Sequence, residues 1–125
     1  MPGNDRGRYG GLTLRVLGGA VAAMGPGKAE LVERIARSGS ISAAAREMSM
    51  SYRRAWQLVE SLNETFREPV VTTAIGGKWG GGARVTPFGE RLVARFRAME
   101  IKASAAIAAD LRGFSGQLRK PRKRR

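Results

Sequence analysis

The 125-residue chain contains no cysteine and no histidine. Those two absences remove disulfides, thiol nucleophiles, Cys/His zinc sites and a Ser-His-Asp arrangement together. Acidic residues are scarce as well: 10 Asp and Glu stand against 23 Lys and Arg, for a formal charge of +13. Glu60, Glu64, Glu68 and Glu90 are spread singly, as on salt-bridged helix surfaces, and no nucleophile and base stand paired. The sequence therefore predicts no enzyme, no cofactor and no metal. Long apolar runs are missing too. The longest uncharged run, residues 16–27, is short and rich in glycine, well below the roughly 20 apolar residues that span a bilayer. Asp5, Arg6 and Arg8 interrupt the N-terminus before a secretory apolar core can form. A cytoplasmic protein with no membrane contact is the expectation.

What is present in excess is positive charge, and a pI near 11.6 points to a polyanionic partner, because neutralising phosphates releases condensed counterions. Arg119, Lys120, Arg122, Lys123, Arg124 and Arg125 supply less than half of that excess, so the part able to fold is basic as well. With 42% hydrophobic residues the chain can bury one modest core, which predicts a single domain with tails.

The most informative stretch is residues 38–66, SGSISAAAREMSMSYRRAWQLVESLNETF, which reads as two helices joined by a turn of about four residues. Ser40 or Ser42 can cap the first helix, and Ala43, Ala44 and Ala45 leave room for another helix to approach. Ser51 can cap the second, in which Ala55, Leu58, Val59, Leu62 and Phe66 repeat on one face. Arg53, Gln57, Glu60 and Glu64 fall opposite that stripe, with Arg54 and Ser61 beside them. A short alanine-rich helix, a turn and a longer helix with a basic outer start form the pattern of a helix-turn-helix whose second helix enters the DNA major groove. The competing reading is an amphipathic pair whose arginines are merely solvated.

Along the rest of the chain, residues 1–11 read as a frayed lead-in. The alternation of Leu12, Leu14 and Val16 suggests a strand, Gly18 and Gly19 a turn, and residues 20–24 a return strand. Pro26 can open a helix over about residues 28–38, ending at Gly39. Beyond Pro69, the β-branched run Val70, Val71, Thr72, Thr73 and Ile75 predicts a strand. A loop with Gly76, Gly77, Lys78, Trp79, Gly80, Gly81, Gly82 and Arg84 follows, then a short return at Val85 and Thr86. Such a basic, glycine-rich hairpin tip matches the wing of a winged helix, where glycine lets the backbone approach a sugar-phosphate surface. A nucleotide-binding phosphate loop needs the G-x-x-x-x-G-K-[ST] order, which is absent. Thr86 and Pro87 then start a long helix, residues 87–112, with Leu92, Phe96, Met99, Ala103, Ile107 and Leu111 in its apolar stripe. A stripe of about six turns exceeds what one small domain covers, so its distal half is expected to pack on a second copy, against the alternative of folding back on its own domain. Residues 113–125 read as a basic disordered tail.

The strings GSISAAAREMSMSYRRAWQLVESLN and GGKWGGGARVTPFGERLV resemble the N-terminal winged-helix domain of the ModE-type, molybdate-responsive regulators, itself similar to the LysR-type DNA-binding domain. The resemblance covers about residues 12–107. It implies operator binding as a symmetric dimer, with Ser51, Tyr52, Arg53 and Arg54 at the DNA-facing start of the recognition helix and residues 76–84 as the wing. Trp79 stands where that family usually has glycine, and Trp56 is expected to be structural. The family's oxyanion-binding domains have no counterpart in these residues, so no molybdate site is expected here.

The resulting expectation is an α+β, mainly helical winged helix-turn-helix over residues 12–86, with a C-terminal dimerisation helix. It binds double-stranded DNA through Ser42, Ser51, Tyr52, Arg53, Arg54 and Gln57, and through Lys78, Trp79 and Arg84 in the wing. A low-specificity architectural DNA coater is the alternative, and an RNA-binding winged helix, with Tyr52 and Trp79 as its candidate stacking residues, a further one.

Overall fold

A computed structural model describes residues 11–74 and 82–120 of the chain. Its elements run β1 (Val16–Gly18), β2 (Val21–Met24), α1 (Pro26–Ser38), α2 (Ile41–Glu47), α3 (Tyr52–Thr65), β3 (Val71–Ala74), β4 (Gly82–Val85), α4 (Pro87–Ala106) and α5 (Ala108–Ser115). Helices dominate and two small antiparallel hairpins, β1–β2 and β3–β4, complete an α+β winged helix-turn-helix.

Local chemistry sets the helix ends. Pro26 occupies the first turn of α1, where its missing N–H costs nothing. Gly39 stops that helix at φ 72°, a left-handed backbone that glycine adopts without strain, while its N–H donates to Ile35 O at 2.8 Å. Ser40, not Ser42, caps α2 by accepting from Ala43 N. Ser51 caps α3 by accepting from Arg54 N, and Thr86 caps α4 by accepting from Gly89 N. Between α2 and α3, Met50 N donates to Ala45 O, and Ser49 holds φ 56°, a left-handed conformation that a side chain enters only at a cost of roughly 1 kcal/mol.

The core joins Leu31, Val32 and Ile35 of α1 to Ala44 and Ala45 of α2, Ala55, Val59 and Leu62 of α3, and Val70, Val71, Val93 and Phe96. Ala44 and Ala45 of α2 are fully covered, as expected of residues chosen for close approach, while Ala43 is half-buried. Trp56 is half-buried and packs against this core, a structural position. An ion cluster ties α1 to α4: Arg97 donates to both carboxylate oxygens of Glu33, at 3.1 and 2.9 Å, and to the buried Glu100 at 2.8 Å. Burial pulls the Arg97 pKa down, but its hydrogen bonds to Glu33 and Glu100 outweigh that and raise it.

Three expectations need correction. The first strand lies at Val16–Gly18 and not over residues 12–16, because a register irregularity between Val16 and Leu17 shifts the pairing away from simple alternation. The return strand of the second hairpin starts earlier, at Gly82, and Thr86 belongs to the helix cap. The long helix is not continuous: Ile107, at φ −111° and ψ 14°, separates α4 from α5, which runs on through Gly113 to Ser115 into residues expected to be tail. No glycine or proline stands at the interruption to announce it.

Gly89 decides how closely α4 approaches the strand. A Cβ there would stand 2.5 Å from Val70 O and 3.0 Å from the Cγ1 atoms of both Val70 and Val85. Gly89→Ala is therefore expected to lower stability by about 2 kcal/mol or more, since backbone must move to admit the methyl group. Urea unfolding measures this, and an alanine variant as stable as the wild type contradicts the close approach.

Candidate nucleic-acid interface

The cap at Ser51 fixes where α3 begins, and its first turns carry Tyr52, Arg53 and Arg54, all exposed, followed by exposed Gln57. Ala55, Val59 and Leu62 are buried on the opposite side, so packing of this stripe against α1 and α2 turns the polar face outward. Tyr52 is 56% exposed, a large ring with no core to fill. Toward the C-terminus the same outer face becomes acidic at Glu60 and Glu64. The helix is thus electrically polarised, and its N-terminal half, where the backbone dipole is also positive, is the end suited to a polyanion.

Among the described residues, the charges on that end have no ion-pair partner. All four ion pairs among the described residues involve Arg34 or Arg97: Arg34 binds Glu30 and Glu47, and Arg97 binds Glu33 and Glu100. The hydrogen bonds that Arg34 donates to Glu47 and Glu30 raise its pKa, so this cation is committed to joining α1 and α2. Among the described residues no acidic partner lies within ion-pair distance of Arg46, Arg53, Arg54 or Arg84. Ser42 is exposed on α2 and accepts from Arg46 Nη1 at 3.3 Å, which puts an exposed cation beside it. Nothing in the spacing of residues 40–50 marked Arg46 out; its place beside Ser42 comes from the i, i+4 geometry of α2.

Arg54 is exposed, and its charge is felt by Lys28. Lys28 of α1 donates to Ala22 O at 2.7 Å and to Ser61 Oγ at 3.3 Å, and its pKa is lowered first by burial and then by the charge of Arg54. The charge of Arg54 thus acts unfavourably on Lys28, an effect that an anion would relieve. Arg53 is exposed.

In the second hairpin Val71 pairs with Val85, Thr72 with Arg84, Thr73 with Ala83 and Ala74 with Gly82. Arg84 is exposed on β4, and Ala83 N donates to Gly39 O at 3.0 Å, which ties the hairpin to the junction of α1 and α2. Lys78 and Trp79 lie outside the described residues.

The six residues of the predicted dimer stripe separate. Phe96 is only 3% exposed within the single chain and Leu92 packs against the same core, so both are core residues first. Met99 and Ile107 are exposed, at 39% and 37%, while Ala103 and Leu111 are half-buried. Ile101, Phe114 and Leu118 are more exposed still, and the sequence reading missed them. Phe114 and Leu118 escaped because Gly113 and Gly116 had marked that segment as a break.

No helix among the described residues is long and apolar enough to cross a membrane. None of the described residues gather as a His, Cys, Asp and Glu group able to hold a metal ion.

Residues 27–90 match the family described as bacterial regulatory helix-turn-helix protein, lysR family. The chain is 45% identical over 117 residues to the molybdenum-pterin-binding protein MopB of Rhodobacter capsulatus, covering 93% of this chain and 41% of that protein. It is 42% identical over 77 residues to the molybdenum transport protein ModE of Azotobacter vinelandii, covering 62% of this chain and 28% of that protein. To the DNA-binding transcriptional dual regulator ModE of Escherichia coli K12 it is 41% identical over 68 residues, covering 54% of this chain and 26% of the relative. The chain thus spans less than half the length of these relatives, and the match to the third lies in a protein named for DNA binding.

Proposed function

The chain belongs to the lysR family of bacterial regulatory helix-turn-helix proteins, and from that premise we propose that it is a sequence-specific regulator of transcription that binds double-stranded DNA in the cytoplasm. The observation that carries this reading is the capped start of α3, where exposed Tyr52, Arg53, Arg54 and Gln57 stand without acidic partners among the described residues. Arg53, opposite the buried stripe, reaches the floor of the major groove, where its guanidinium can donate to guanine O6 and N7 together. Arg54 and Arg46 flank it and take phosphates, as do Ser51 and Tyr52 at the helix start. Arg84, with Lys78 and Trp79 as the sequence-based members of the wing, contacts the backbone of the neighbouring turn.

The binding unit is a homodimer formed through α4 and α5. From Met99 onward the helix presents Met99, Ile101 and Ile107, and α5 adds Phe114 with Leu118 just beyond it. A run of exposed large apolar side chains on helices with few core contacts is the surface that a second copy covers. The basic residues after 118 add affinity for any DNA, because a run of cations reads phosphates and phosphates carry no sequence. From the relatives only DNA-binding regulation is taken; molybdenum stays with the proteins named for it.

Mapping where the protein sits across a genome tests this function. Discrete sites that share a two-fold symmetric motif are the expected result. Uniform coverage that scales with DNA accessibility contradicts it and favours an architectural coater, in which charge outweighs base contacts.

A further inference from the structure

The segment between the recognition helix and the wing is anchored to α3 by the Asn63 side chain. Asn63, half-buried on the last full turn of α3, accepts with Oδ1 from Val70 N at 2.8 Å and Val71 N at 3.2 Å. Its Nδ2 donates to Val71 O at 2.9 Å. Among the described residues β3 has β4 as its single neighbour in the sheet, so the primary amide of Asn63 serves the start of the strand as a neighbouring peptide group would. The same stretch is gripped from its other side: Thr86 N donates to Val70 O at 2.9 Å, and Thr86 Oγ1 to Pro69 O at 2.7 Å. Val70 is completely buried, and the backbone of Gly89 lies close against its carbonyl. The start of the wing therefore cannot turn relative to α3 while the Asn63 bonds hold.

We propose that Asn63 is a positioning residue that sets the angle between recognition helix and wing, so that Arg53 in the groove and Arg84 on the backbone engage the same duplex together. This rests on the DNA-binding reading. No other standard side chain makes the same three bonds at that length. Aspartate keeps the two acceptances but meets Val71 O with a second oxygen, leucine makes none, and glutamine is one methylene too long.

A double-mutant cycle between Asn63 and Arg84 tests it, with affinity and its salt dependence measured on the best duplex. In the wild-type background Arg84→Ala is expected to weaken binding several-fold and to lower the salt slope by about 1. In the Asn63→Ala background the same change is expected to have under about a twofold effect and to leave the slope alone, because a displaced wing has no phosphate contact to lose. Base preference at the position read by Arg53 stays as in the wild type. A merely stabilising role for Asn63 would lower the melting temperature yet leave the Arg84 contribution intact, so equal Arg84 effects in both backgrounds overturn the proposal. Asn63→Asp guards against a variant that fails to fold: it is expected to show partial loss of the coupling, and full additivity or an unfolded protein there overturns the proposal too. Amide exchange at Val70 and Val71, read without DNA, is expected to quicken in both variants. A wild-type protein that binds no duplex overturns the DNA reading and this proposal with it, and unchanged exchange at those two amides identifies instead a failure of Asn63 to hold the strand.

Discussion

Met99→Glu with Ile107→Glu is expected to convert a dimer into a folded monomer that binds its operator about 100-fold or more weaker. Both side chains are exposed in the single chain, so glutamate meets water there and the core of the domain is untouched. In a dimer each glutamate faces apolar surface and its own symmetry mate, and burying unpaired like charges costs several kcal/mol. The loss in DNA affinity follows from linkage of two half-site contacts. A tethered second contact acts at an effective concentration near the millimolar range and adds roughly 10²–10⁴ in avidity, all of which disappears on dissociation. Leu92 and Phe96 are unsuitable for this test, because both pack into the core and their replacement would unfold the domain. Sedimentation of wild type and variant at micromolar concentration, with circular dichroism to show that the helices persist, decides the point. A wild-type monomer under those conditions contradicts the dimer and the expectation of a two-fold symmetric operator.

Arg53→Ala is expected to cost about 1 to 3 kcal/mol at each half-site and to relax selectivity at one base pair. The magnitude follows from the chemistry of the fork. Two parallel N–H donors match the two acceptors that guanine presents in the major groove, and no other base offers that pair. Arg53→Lys is expected to restore part of the affinity but little of the selectivity, since an ammonium group is a point charge without the fork. Arg54→Ala is expected to act on all sequences more evenly. The charge of Arg54 lowers the Lys28 pKa after burial does, and in the proposed complex Arg54 meets a phosphate.

The parts of the fold that were legible are those whose causes are local. Ser51, three residues before the amide it caps, and a 3.6-residue apolar period together announced α3, and Thr86 with Pro87 announced α4. Consecutive alanines announced a helix packed closely, as α2 is. The polar outer face of α3 needed only the helical wheel, so its candidate contacts lie on one exposed surface. What escaped depends on partners distant in sequence or on departures from ideal geometry. Glu33 and Arg97 bind across 64 residues, and no pattern in either helix announces the pair. Asn63 looked like one more polar residue of α3, because its partners stand beyond the turn at Pro69. The irregularity between Val16 and Leu17 moved the first hairpin out of its alternation. Phe96 was assigned to a dimer surface because periodicity finds an apolar stripe without saying which half of it the chain's own core will cover. Lys78 and Trp79, read from sequence as the wing tip, lie outside the described residues.

Selection of bound sequences from fully randomised duplexes, run in parallel with wild type, Arg53→Ala and Arg84→Ala, tests most directly whether α3 reads bases. The wild type is expected to return a two-fold symmetric motif. Arg53→Ala should return the same motif with one base pair per half-site degenerate, and Arg84→Ala the wild-type motif intact with weaker retention throughout. If the wild type returns no motif, or if both variants weaken every sequence to the same degree, α3 does not read bases and the protein binds DNA through charge alone.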